Sequence, residues 1–237
     1  MKLEDEWFDQ TTKRFCSVAE SYQSANPFPH VVLENFWPHD FASQLASELR
    51  ARPKERNAWQ KFQNANESKH ATKPGFAFVG QPEIVKTALR ALNDPRMVSA
   101  LAAASGIEQL HADEQYVGGG VHRIERGGFL KVHVDFNRHP QTREYRRLNL
   151  LVYMNADWKD DWGGHLQLWS QDKSVCTHRI LPTLNRAVLF DTGAKSWHGH
   201  PEPLDCPASR ARLSLATYYY APSQGSQRRR PHSTRFM

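Results

Sequence analysis

His133-Val134-Asp135 places an imidazole and a carboxylate two residues apart inside the apolar run 129–136. Side chains alternate along an extended strand, so His133 and Asp135 point to one face and Val134 to the other. A second imidazole source, Trp197-His198-Gly199-His200-Pro201, follows the apolar run 187–190. A third element, Arg210-Ala211-Arg212-Leu213-Ser214, opens a strongly apolar strand that ends at Tyr218-Tyr219-Tyr220. In a chain with 12 histidines no single one means much, and the H-x-D pattern recurs by chance. Together, two imidazoles and one carboxylate from different strands can fill one triangular face of an octahedral metal and leave the opposite positions open. Either His198 or His200 could supply the second imidazole. A guanidinium inside an apolar strand needs an anionic partner. Arg210 and Arg212 share a strand face, and no acid close in sequence is an obvious partner. A ligand carboxylate and a distant Asp or Glu are equal candidates.

The elements that must position these groups divide the chain in two. Residues up to about 109 read mainly as helix. Trp7, Phe8, Phe15, Val18 and Ala19 fall on one helical stripe, and Phe41, Leu45 and Leu49 fall on another that opens at Pro38-His39-Asp40. Residues 30–36 form a short strand between them. Residues 82–107 give two helices broken at Asn93-Asp94-Pro95. The polar stretch 52–74 lacks a pattern and reads as an exposed loop of the kind that borders binding sites. From 110 the texture changes to short β runs at 110–117, 120–125, 129–136, 148–155, 165–170, 178–182, 187–191 and 210–220. Regularly spaced strands without intervening helices predict an antiparallel barrel or double-sheet jelly roll. The expected class is therefore α+β: a jelly-roll (double-stranded β-helix) barrel over 110–222, with a helical layer over 1–109 packed on one outer face.

Composition narrows the function classes. The 237 residues are 39% hydrophobic and 24% charged, which suits a globular protein with a sizeable core. No apolar stretch approaches the roughly 20 residues of a membrane span. The acidic start Met1-Lys2-Leu3-Glu4-Asp5-Glu6 lacks the features of a secretory signal. Cys16, Cys176 and Cys206 are odd in number and far apart, so free thiols in a reducing cytoplasm are expected. Most of the formal net charge of +6 sits at Arg228, Arg229, Arg230 and Arg235. Residues 223–237 thus read as a solvated, disordered tail with weak attraction for polyanions, and nucleic acid is otherwise not an expected partner.

Six segments in register carry a resemblance: GGFLKVHVD (127–135), LNLLVYMNADW (148–158), GGHLQL (163–168), PTLNRAVLF (182–190), WHGHPEP (197–203) and RARLSLATYYY (210–220). They cover nearly half the chain, and their order resembles that of the 2-oxoglutarate- and Fe(II)-dependent oxygenases, in the prolyl 4-hydroxylase-like branch. The resemblance implies His133, Asp135 and His198 as ligands of Fe(II). It favours His198 over His200 because the family's ligand opens this segment. It favours Arg212 over Arg210 because Arg212-Leu213-Ser214 is similar to the family's R-x-S pattern. Arg212 would pair through its planar fork with the distal carboxylate of 2-oxoglutarate. Tyr153 stands where related enzymes use a phenol on that carboxylate, and His122 stands near the position of an upstream family tyrosine. The implied cofactors are Fe(II) and the cosubstrate 2-oxoglutarate, with ascorbate as a candidate reductant. The acid at 135 implies hydroxylation rather than halogenation, and leaves desaturation or ring closure open.

The substrate is less legible. Asn137, Arg138, Trp197 and the stretch 52–74 flank the site and are candidate pocket residues. A small molecule, an amino acid or a prolyl peptide would each suit. Two other readings compete: a non-catalytic jelly-roll binding module that uses its basic tail, and a zinc hydrolase. The first would be marked by a damaged metal triad, and the second leaves Arg212 without a task.

Overall fold

The computed structural model describes residues 3–50, 56–222 and 230–237. The helical layer is α1 (Asp5–Ser17), α2 (Ala19–Ser24), α3 (His39–Arg50), α4 (Glu83–Asn93) and α5 (Pro95–Ser105). The break at 93–95 has the expected physical form. The Asp94 side chain accepts from the Arg96 amide, Pro95 occupies the first turn, and Gly106 closes the helix in the left-handed conformation.

The strands are β1 (His30–Leu33), β2 (Trp59–Gln63), β3 (Glu67–Thr72), β4 (His111–Ala112), β5 (Gly120–Glu125), β6 (Phe129–Val134), β7 (Tyr145–Tyr153), β8 (Leu166–Trp169), β9 (Cys176–Ile180), β10 (Arg186–Asp191), β11 (His198–His200), β12 (Ala211–Ala221) and β13 (Arg235–Phe236). They form one curled antiparallel sheet, ordered β1-β10-β7-β12-β5-β3-β6-β11-β8-β9. This is the predicted jelly-roll architecture. Alternation along β7 and β12 explains how it is held. Leu148, Leu150 and Val152, with Leu213 and Leu215, pack outward against the helices. Leu151, Tyr153 and Ala216 point the other way, into the barrel, against Leu166, Leu168 and Phe190. That same parity sends Arg212 and Ser214 inward. Among the described residues no helix is long and apolar enough to cross a membrane.

Two expectations are corrected. Residues 59–72 of the supposed loop are the hairpin β2–β3, and β3 joins the sheet between β5 and β6. Its strands carry few apolar residues, so period-two hydrophobicity was absent. The hairpin is fixed by main-chain pairing and by the Asn64 side chain, which accepts from the Asn66 and Glu67 amides. Residues 51–55 lie outside the described part. In the basic tail, residues 223–229 also lie outside it, but 230–237 are an ordered segment whose strand β13 pairs with β6. Charge pattern alone could not show that β6 keeps an edge free beyond β3 for those residues to cover.

Candidate functional site

His133 lies near the end of β6, and His198 opens β11 directly opposite it in the antiparallel register. Gly199 permits this close approach. A Cβ there would meet the Leu130 and Lys131 carbonyl oxygens at 2.8 Å, so any side chain would push β11 away from β6. The two imidazole centroids are 4.4 Å apart. Asp135 follows β6, its carboxylate 3.4 Å from His133 Nε2 and 3.8 Å from His198 Nε2. All three side chains are buried, and one potential ligand atom from each falls within 4.8 Å of the others. His200 is not in this cluster.

Both rings are aimed by their own strands. His133 Nδ1 donates to the Lys131 carbonyl at 2.8 Å, and His198 Nδ1 donates to the Ser196 carbonyl at 2.8 Å. A proton held on Nδ1 leaves Nε2 as a lone-pair donor towards the centre, the arrangement that metal-binding histidines use. Asp135 Oδ2 is buried without a hydrogen bond. Burial by itself would raise the Asp135 pKa, yet the Arg146 guanidinium beside it holds it well below the usual carboxylate range. A charged, buried carboxylate with an unused oxygen beside two inward nitrogen lone pairs is a donor set suited to a divalent cation.

Arg146 is the functional residue that sequence reasoning missed. It is fully buried, clamped between the Phe136 and Tyr218 rings at 3.6 Å from each centroid, and its Nη1 lies 3.4 Å from Asp135 Oδ2. Its other nitrogens reach the Tyr220 hydroxyl. Strand parity would place Arg146 with Leu148 against the helices. A bulge opposite Tyr219 and Tyr220 reverses the parity and turns Arg146 to the site face.

The guanidinium of Arg212 lies within the barrel wall. Its Nε donates to the Gly164 carbonyl at 2.7 Å and its Nη2 to the Tyr153 hydroxyl at 3.1 Å. Among the described residues no carboxylate forms an ion pair with it. Gly164 must be glycine, since its φ is +75° and a Cβ would meet Arg212 Cδ at 3.0 Å. Arg210 is spent elsewhere, with its guanidinium on the Ala156 carbonyl and over the Trp162 ring. His122 is buried and bonded to the Gly118 carbonyl, and Tyr153 is buried against Arg212. His200 is also buried, neither ring nitrogen has a hydrogen-bond partner among the described residues, and it feels the charges of Arg212 and Lys69. Lys69, from the unpredicted hairpin, adds positive potential on this side.

The candidate substrate-pocket residues are dispersed. The Trp197 indole packs with Val132 and Val134 on the opposite face of β6, because it shares their parity rather than that of His133. Arg138 donates to the Arg143 carbonyl, and Asn137 is bonded to residues 230–232.

Three buried histidines give the metal-free protein an acid sensitivity. Burial, reinforced by Lys69, lowers the His122 pKa to about 3. Burial and the neighbouring His133 lower that of His198 to about 4. Burial and Arg212 push His200 well down. The unfolded chain takes up these protons near its ordinary histidine pKa and the folded chain does not. Stability is therefore complete above about pH 6.5 and falls below it, by roughly 1.4 kcal/mol per pH unit for each histidine. Denaturant midpoints of metal-free protein should drop clearly between about pH 7.5 and pH 5.5. Equal midpoints would contradict the buried neutral state.

Residues 119–220 match the family model of the 2OG-Fe(II) oxygenase superfamily, a stretch that contains His122, His133, Asp135, Arg146, Tyr153, His198 and Arg212. Over this stretch the chain is similar to that superfamily. Its name gives the cofactors, Fe(II) and 2-oxoglutarate, and the two buried donor sets fit a divalent ion and a small diacid. Over 205 residues the chain is 28% identical to the mouse prolyl 3-hydroxylase OGFOD1, covering 84% of this chain and 34% of the relative. It thus spans about a third of that relative's length. The fold is similar to a Pseudomonas putida prolyl-4-hydroxylase, with a TM-score of 0.63 at 20% identity over 87% of this chain and 98% of the other. It is also similar to a Trichoplax adhaerens prolyl hydroxylase solved with a hypoxia inducible factor oxygen degradation domain peptide fragment. That TM-score is 0.65 at 19% identity, over 92% and 94% of the two chains.

Proposed function

We propose that this chain is a non-haem Fe(II)- and 2-oxoglutarate-dependent dioxygenase that hydroxylates an unactivated C–H bond, with a prolyl residue of a peptide as the favoured target. The observation that carries this reading is the buried His133, Asp135 and His198 cluster together with the buried Arg212, which forms no ion pair with a carboxylate among the described residues. In this reading residues 1–222 act as one oxygenase domain. His133, Asp135 and His198 hold the iron. Arg212 and Tyr153 hold the distal carboxylate of 2-oxoglutarate, and His122 lines the same side. When bound, iron and cosubstrate supply oxygen activation for C–H hydroxylation, with release of succinate and CO2.

The chain's own work is geometric and electrostatic. The Lys131 and Ser196 carbonyls fix the imidazole tautomers. Arg146 keeps Asp135 ionised. Phe190, stacked edge-on to His198 at 4.6 Å, helps to keep water from the site. The prolyl target draws its support from the similarity to OGFOD1. A zinc hydrolase would leave Arg212 without an anion.

The test supplies Fe(II), 2-oxoglutarate and a panel of proline-bearing peptides. Succinate release stimulated by one peptide, together with the gain of one oxygen atom in that peptide, is the expected result. Iron-loaded protein that neither binds nor turns over 2-oxoglutarate would overturn the proposal.

A further inference from the structure

The segment 230–237 lies against the site strand in an unusual way. Asn137, two residues beyond Asp135, grips it around Pro231. The Asn137 side-chain amide donates to the Arg230 carbonyl at 2.9 Å, its Oδ1 accepts from the His232 amide at 2.8 Å, and its own amide donates to the His232 carbonyl at 3.3 Å. These bonds bracket one residue, and a proline there leaves no amide unpaired. Arg235 and Phe236 then pair with Val134 and His133, and the Met237 amide donates to the Val132 carbonyl at 2.8 Å. The Phe236 ring lies 5.6 Å from the His133 ring, inclined by 38°.

Almost every one of these contacts is to main chain, so any extended peptide with proline at the bracketed position could make them. Adding a strand to an exposed sheet edge is a general way to bind peptides. The occupant is also lightly held. Its paired strand is two residues long, Arg230, Pro231, Ser233, Arg235 and Met237 are exposed, and none of its eight residues is buried. Segments that bury so little open locally at low cost.

We propose that the edge of β6 beside Asn137 is a docking strand for an extended, proline-bearing peptide, and that residues 230–237 occupy it in cis until such a peptide displaces them. The inference rests on the functional reading above, to which it adds the strand on which the peptide docks and an internal competitor.

The test compares the full chain with the full-length double variant Phe236→Ala, Met237→Pro, which removes the ring contact and one main-chain donor. The probe is a labelled synthetic peptide of residues 230–237, read by fluorescence anisotropy without iron or 2-oxoglutarate. Binding to the double variant should be at least about 10-fold tighter than to the unsubstituted chain, and adding Asn137→Ala should remove the gain. Equal binding to both proteins, or binding to neither, would overturn the proposal. A second measurement needs no variant: in the unsubstituted chain the Met237 amide should exchange with solvent at least about 100-fold faster than the amides of β7. Protection equal to that of β7 would also overturn it. Because no readout involves turnover, an inactive enzyme and an unoccupied docking strand give different results.

Discussion

Asp135→Ala is expected to abolish Fe(II) retention and, unlike many substitutions at metal sites, to destabilise the metal-free protein severely. The first effect follows from removing the only carboxylate of the cluster. The second follows from Arg146. Its guanidinium is fully buried between two aromatic rings, and Asp135, 3.4 Å away, is its only acidic partner among the described residues. Removing one member of a buried ion pair costs about 3–5 kcal/mol because the other charge stays desolvated. In a domain of this size that corresponds to a fall of roughly 10 °C in melting temperature. Asp135→Asn separates the two effects, since an amide fills the space and accepts a hydrogen bond but cannot neutralise Arg146. It should lose iron and still lose stability. The double substitution Asp135→Ala, Arg146→Met should recover most of the melting temperature without recovering metal, because no buried charge is then left alone. Metal content by elemental analysis and thermal unfolding of metal-free protein check all three. An Asp135→Ala protein as stable as its parent would show that Arg146 does not depend on this carboxylate.

The two halves of the site differed in how far the sequence revealed them. His133 and Asp135 stand out because period-two alternation and short spacing are local properties, readable without knowing which strands meet. The residue pattern points equally to His198 or His200 and to Arg210 or Arg212, and only the family resemblance favours His198 and Arg212. Arg146 is just as buried, but it sits next to Arg147 in a polar run, and only the bulge between β7 and β12 turns it inward. A bulge is a property of the pair of strands, and neither sequence alone announces it. The hairpin 59–72 was hidden for a related reason. Its stability comes from main-chain pairing to β5 and β6, so its side chains carry no apolar alternation. The strand at 235–236 was concealed by composition, since arginines that read as solvated also flank a segment that main-chain hydrogen bonds can dock. Trp197 misled in the opposite direction. Adjacency to His198 suggested the pocket, whereas adjacent strand residues face opposite sides.

Arg212→Met should have the reverse signature of Asp135→Ala: a large loss of cosubstrate affinity with little change in stability. The guanidinium is buried with two neutral acceptors, the Gly164 carbonyl and the Tyr153 hydroxyl, and no ion pair among the described residues. Without ligand it is a desolvated charge lacking a counter-charge, which is costly to the fold. Methionine relieves that cost and gives up two hydrogen bonds worth about 1 kcal/mol each, so the net change should stay within about 1–2 kcal/mol. With ligand the balance shifts. Removing one partner of a buried, hydrogen-bonded charge pair costs about 2–5 kcal/mol, which corresponds to a roughly 30- to 4,000-fold weaker hold on 2-oxoglutarate. Arg212→Lys keeps the charge but loses the fork that serves Gly164, Tyr153 and a carboxylate together, so it should fall between parent and Arg212→Met. Titration calorimetry with 2-oxoglutarate, beside thermal scans with and without it, separates the two quantities. An Arg212→Met protein that binds 2-oxoglutarate within about 3-fold of its parent while losing several kcal/mol of stability would make this arginine a structural group. The cosubstrate's anchor would then have to be sought among Lys69, His122 and His200, the other basic side chains on that side of the barrel.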